Sequence, residues 1–120
     1  MKKSDWVRLQ HIQQAASELK EIIKNRNRED LDSDRFFMFT VIKLVEIMGE
    51  ATSKISNEIK DQYSQVPWQK IIRMRNRLIH GYFDINLNII WQTVTENIPP
   101  LLEEITNILT NETSHNDDHH

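Results

Sequence analysis

Arg75, His80 and Tyr82 fall within one decapeptide, MRNRLIHGYF, residues 74–83. These residue types suit acid–base work on a phosphate ester. A histidine titrates near pH ~6.5, so it can give or take a proton close to neutrality. A side chain so placed typically contributes on the order of 10² to 10⁴ in rate. Arginine stays charged and can hold a phosphate through two hydrogen bonds. A base or acid beside a phosphate clamp is what RNA cleavage by its own 2′-hydroxyl needs, and that route requires no metal. The spacing is less telling. Residues five apart on a regular helix are separated by about 140° around its axis, so the pair would not converge. Gly81 can adopt the left-handed conformation that ends a helix, which would let the imidazole swing towards the arginine face. Alternatively, each residue meets its counterpart from a second chain. On spacing alone, a helix-capping histidine beside a solvated basic face accounts for the pair better. Tyr82 then reads as a partly buried aromatic at the end of a bundle.

The charge distribution singles out the same stretch. The chain carries 15 basic and 18 acidic residues, a net charge of −3. It is not globally basic, so any contact with nucleic acid must be local. No acidic residue lies between Asp61 and Asp84, yet Lys70, Arg73, Arg75 and Arg77 do. Without those four, 11 basic residues face 18 acidic ones, a balance of −7. Lys70, Arg73 and Arg77 are candidate RNA-phosphate contacts; the plainer account of them is a solvated helix face.

The elements that must carry these residues are helical. The 120-residue length suits one small domain, 38% hydrophobic residues can build a core, and two glycines with three prolines favour long helices. Leu9, Ile12, Ala16, Leu19 and Ile23 recur at helical spacing, predicting a first helix from Ser4 or Asp5, as caps, to Asn25. NRNREDLDSD reads as a polar connection. A second helix is predicted from Ser33 to Glu58, with a stripe of Phe37, Val41, Leu44, Met48, Ala51 and Ile55 that Phe36, Ile42, Val45 and Ile47 widen beyond one face. Such a helix is either the centre of a bundle or shares its surplus face with another chain. Pro67 suits the start of a third helix that ends near His80 and Gly81. Asn86 or Asn88 is a candidate cap for a fourth, which Pro99 and Pro100 would break or kink, and a last helix is predicted over Leu101 to Leu109. Residues 1–110 thus form an all-α domain, an antiparallel bundle of four to five helices. Residues 111–120 form a polar, flexible tail.

Other functions find little support. Without cysteine there are no disulfides and no thiolate metal sites, as in a reducing cytoplasm. MKKSDWVRLQ has two lysines with no apolar run behind them, so neither a secretory signal nor a membrane span is expected. His11 has no ligand partner one helical turn away and reads as a surface residue. The tail histidines and aspartates read as a disordered segment. The three tryptophans read as packing residues. No metal or cofactor is implied.

Taken whole, residues 66–101, VPWQKIIRMRNRLIHGYFDINLNIIWQTVTENIPPL, resemble the HepT-like toxins of the HEPN superfamily. Those sequences read P-W, an apolar pair, M-R-N, H-x-Y, W and a P-x-L-like segment. Here these are Pro67 and Trp68, Ile71 and Ile72, Met74 to Asn76, His80 and Tyr82, Trp91, and Pro99 to Leu102. VIKLVEIMGEATSKIS, residues 41–56, looks like the family's second helix, so the resemblance spans roughly residues 4–110. It implies a metal-independent endoribonuclease, with Arg75 and His80 as the catalytic pair and Asn76 as the polar residue that orients the site. It implies a homodimer in which the two motifs face a shared cleft, and RNA, tRNA foremost, as substrate. Tyr82 matches the tyrosine to which a partner nucleotidyltransferase antitoxin of the MntA type transfers AMP, silencing the toxin. An added adenylyl group would bring bulk and negative charge to the place where RNA phosphates approach. A second function fits the same sequence, a non-catalytic helical binding subunit of a two-component nucleotidyltransferase. The apolar second helix and the net acidity would suit it.

Overall fold

The computed structural model describes the backbone of residues 1–80 and 85–117, and the side chains of residues 1–78 and 85–112. Every regular element among them is helical, and none of these helices is long and apolar enough to cross a membrane. The elements are α1 (Lys3–Ile22), α2 (Asp30–Ser33), α3 (Arg35–Ser53), α4 (Asn57–Gln62), α5 (Trp68–His80), α6 (Leu87–Gln92), a π-helical segment (Thr93–Asn97) and α7 (Ile98–Asp117). Three long helices, α1, α3 and α5, join a fourth long run made of α6, the π segment and α7. The bundle read from periodicity is therefore present, with α2 and α4 as short connectors.

The wide apolar surface of α3 is covered by α1 on one side and α5 on the other, while α1 also packs on α7. Val41, Val45 and Met48 of α3 meet Leu9, Ile12 and Leu19 of α1 and Leu78 of α5 in one core. Cover is incomplete: Phe36 is 84% exposed and Ile47 38%.

Several helix ends differ from those expected. Lys2, not Ser4 or Asp5, precedes α1, and it makes no side-chain cap. Asp5 is buried instead, accepting from the Ser56 amide at 2.9 Å and the Ser56 hydroxyl at 2.7 Å. That contact explains why the second predicted helix is two. Ser56 caps α4 by accepting from the Ile59 amide, and Asp5 fixes Ser56 from across the bundle. Upstream, Asp34 rather than Ser33 caps α3, accepting from the Phe37 amide at 3.1 Å. The polar connection contains the turn of α2, pinned by the buried Leu31. Asn86, not Asn88, caps α6; its carbonyl oxygen accepts from the amides of Asn88 and Ile89.

Pro99 and Pro100 do not break the fourth run. A proline lacks the N–H that would bond four residues back, and its ring needs room there. The π segment supplies that room by widening the turn just upstream, where the Ile98 amide donates to the Thr93 carbonyl five residues back. α7 begins at Ile98 and continues to Asp117 rather than stopping at Leu109.

Near this end, the Tyr63 hydroxyl donates to the Glu112 carboxylate at 2.7 Å. Burial, and then that bond, push the Tyr63 phenol up to about 12 from 10.0. Its stabilising contribution is present below the unfolded value and is lost as pH rises through the folded one. Tyr63→Phe is expected to cost about 1–2 kcal/mol at neutral pH, because Glu112 is left buried without that donor. It should also remove the alkaline dependence of stability. Urea unfolding at several pH values, in a Tyr82→Phe background that leaves one tyrosine, checks this. A Tyr63 that ionises near pH 10 would contradict it.

Candidate active site around Arg75

Arg75 projects from α5 towards α3 at a place where the two helices approach closely. The contact is possible because residue 49 is glycine: a Cβ built on Gly49 would lie 2.1 Å from the Arg75 Cβ and 2.7 Å from its Cγ. Carbon atoms normally approach no closer than about 3.5 Å. The next residue of α3, Glu50, then ion-pairs with the Arg75 guanidinium. Arg75 Nη1 also donates to the Asn76 side-chain oxygen Oδ1 at 3.1 Å.

Glu50 is shared. Lys54 Nζ lies 3.2 Å from its other carboxylate oxygen. The hydrogen bond from Lys54, followed by the Arg75 charge, holds the Glu50 carboxyl below the usual 4.5. What these pairs contribute is present above the ordinary carboxylate pKa and is lost as pH falls through the lowered value. Arg75 is thus held from two directions, with 27% of its side chain still open to solvent.

That open edge faces a groove of about 310 Å³, lined by Arg8 and His11 of α1, Lys43 and Glu50 of α3, Lys54 just past the end of α3, and Arg75 of α5. Lys70, Arg73 and Arg77 line a different groove of about 300 Å³, shared with α6 and the π segment, in which Lys70 Nζ donates to Asn97 at 2.9 Å. The helical repeat explains the split. Residues 70, 73 and 77 share one face of α5, and position 75 lies roughly 165° from their mean direction. The four cations that cluster in sequence therefore serve two faces, and neither is free of acid: Glu50 enters one groove and Glu96 the other.

His80 is the last residue of α5, so the helix does not unwind before it. Backbone positions 75 and 80 accordingly keep their separation of about 140° around the axis. The His80 side chain, Gly81 and Tyr82 lie outside the described residues. The structure joins Arg75 to Asn76 and places Lys70, Arg73 and Arg77 in a groove other than that of Arg75. It adds Gly49, Glu50, Arg8, Lys43 and Lys54, which the sequence does not nominate; His11 is on the surface as expected, and there it lines the Arg75 groove. Gly49 carried a legible signal, since a mid-helix glycine costs about 1 kcal/mol relative to alanine and calls for a packing reason. The tryptophans pack as expected. Trp68 is buried and donates to the Tyr63 carbonyl at 3.0 Å, while Trp6 and Trp91 lie against the core.

Residues 12–108 match the family described as Ribonuclease HepT-like. The chain is similar to "Putative RNase TTE0752" of Caldanaerobacter subterraneus subsp. tengcongensis, 38% identical over 104 residues, covering 87% of this chain and 93% of that one. It is likewise similar to "Probable ribonuclease HepT" of Thermococcus cleftensis, 38% identical over 101 residues, covering 84% of this chain and 92% of that one. No solved structure matches at a significant level.

Proposed function

The chain belongs to the HepT-like ribonuclease family of the HEPN superfamily, and from that premise we propose that it is a metal-independent endoribonuclease toxin acting on RNA in the cytoplasm, with tRNA the first substrate to test. The observation that carries this reading is the placement of Arg75. Its guanidinium is fixed by Glu50 and by the close approach at Gly49, with an edge open to a groove in which cations outnumber carboxylates. A preset charge of this kind can stabilise a pentacovalent phosphorus without reorganising during reaction.

In the proposed step, the ribose 2′-oxygen attacks the adjacent phosphorus and the bond to the 5′-oxygen breaks. A 2′,3′-cyclic phosphate and a 5′-hydroxyl result. The 2′-hydroxyl loses a proton and the departing 5′-oxygen gains one; His80 serves one of these transfers. Asn76 accepts from Arg75 and so helps orient it. Lys70, Arg73 and Arg77 hold more distant phosphates from the outer face of α5.

The active unit is proposed to be a homodimer whose two motifs share a cleft. The separation of positions 75 and 80 around α5, and the exposure of Phe36 on α3, favour completion of the site by a second copy. Silencing is proposed to come from an MntA-like nucleotidyltransferase. The Tyr82 hydroxyl attacks the α-phosphorus of ATP, pyrophosphate leaves, and the phenolic proton is released.

Co-expression of Arg75→Ala and His80→Ala chains tests the shared site. Each variant alone should be inactive. If arginine and histidine of one site come from different chains, each mixed dimer retains one intact site, and about a quarter of wild-type activity should return in a random mixture. Full activity in either variant alone would contradict the catalytic assignment, and no recovery in the mixture would place each pair within one chain.

A further inference from the structure

The cations that accompany Arg75 in space are not those that accompany it in sequence. Arg8, Lys43 and Lys54 share its groove, and against these four positive charges stand Glu46 and Glu50. The neutralisation is loose. Lys43 Nζ lies 3.9 Å from Glu46 with 70% of its side chain exposed, and Arg8 has no ion pair among the described residues. Along the axis of α3, Lys43 and the C-capping Lys54 are about 16 Å apart, a length over which a nucleic-acid strand carries several phosphates. Ile47, 38% exposed, gives the same wall an apolar patch, and His11 offers a ring on which a base can stack. The volume, about 310 Å³, lies at the lower end of small-ligand pockets and suits a nucleotide unit rather than a duplex.

We infer that the α1–α3–α5 groove is the subsite for the phosphates and sugar flanking the scissile bond of a single-stranded RNA, with Arg8 and Lys43 as its phosphate contacts. This rests on the ribonuclease reading above and extends it. The near-site grip comes from α1 and α3, and the basic face of α5 serves only more remote phosphates. Lys54 is tied to Glu50 and tunes the Arg75 support as well, so the test leaves it in place.

The experiment measures binding of a short 2′-O-methyl oligonucleotide, which cannot supply the attacking hydroxyl, across a range of salt concentrations. The Arg8→Gln/Lys43→Gln double variant is compared with Lys3→Gln/Lys20→Gln, which removes equal charge from exposed positions outside the groove. Loss of two contacts should reduce the slope of log K against log salt by about 1.4, at about 0.7 per single-strand phosphate, and weaken binding at least tenfold at low salt. The control pair should stay within twofold of wild type. Equal losses in both pairs would reduce the effect to net charge and overturn the inference, as would an unchanged slope in the groove variant. A groove variant that binds RNA normally but no longer self-associates would assign the groove to a second copy of the chain, against the inference. Wild-type protein that binds this ligand and cleaves the matching RNA, with no groove effect, defeats this inference alone. Wild-type protein that neither binds nor cleaves defeats the ribonuclease reading itself.

Discussion

Arg75→Ala is expected to lower the rate of RNA cleavage by on the order of 10² to 10³, the usual cost of removing one preset donor to a developing negative charge. The loss should appear in kcat more than in KM, because other cations still hold the strand. Arg75→Lys should recover little of it. A lysine ammonium is a point charge and cannot keep Glu50 on one edge while presenting a second edge to phosphate. Neither variant should unfold the protein. Glu50 retains Lys54 as a partner and is solvated, and the side chain removed is not part of the core. Thermal melting together with steady-state cleavage checks this. A kcat loss accompanied by collapse of the fold would show that Arg75 is structural instead.

Gly49→Ala is expected to damage both stability and activity, which an exposed alanine in a helix would not do. The added methyl carbon would sit 2.1 Å from the Arg75 Cβ, so α3 and α5 must separate. The nearest atom in the way is the Arg75 Cβ, which the backbone fixes and no side-chain rotation moves aside. Overpacking of this kind costs about 1–3 kcal/mol, more than the gain of about 1 kcal/mol from a better helix former can offset. A fall in Tm of several degrees is expected. Because the separation moves Arg75 itself, cleavage should fall by on the order of 10², the scale of loss that follows from misplacing a positioned group by about 1 Å. Gly49→Ser should behave alike. A Gly49→Ala protein that melts higher than wild type would show that the helices have room to spare there.

These two residues mark where the sequence is easy to read and where it is not. Arg75 stands in a motif, and its type alone suggests phosphate. The stripes of α1, α3 and α5 are equally plain, since burial of one helical face is written at three- and four-residue spacing. What determines the remainder is long-range. The break between α3 and α4 is invisible locally because Ile55 and Ile59 keep the stripe running; Asp5, fifty-one positions upstream of Ser56, helps make the turn. Pro99 and Pro100 signal a stop by local rules, yet the preceding π turn absorbs them. The basic run from Lys70 to Arg77 reads as one patch in sequence, but the helical repeat divides it between two grooves, and the carboxylate that holds Arg75 comes from another helix. Gly49 lies between these extremes: its oddity is local, and its reason is the arginine it admits.

Arg75 and His80 are proposed to make this chain a ribonuclease without help from a metal. The most direct measurement is a denaturing gel of total tRNA and a defined mRNA, incubated in EDTA with purified wild type, Arg75→Ala and His80→Ala, after intact mass has verified that Tyr82 carries no AMP. Discrete cleavage by wild type, with 2′,3′-cyclic phosphate ends, is expected, and none by either variant over the same time. Intact RNA with verified, unmodified wild-type protein would contradict it, and would favour a helical binding subunit for a nucleotidyltransferase.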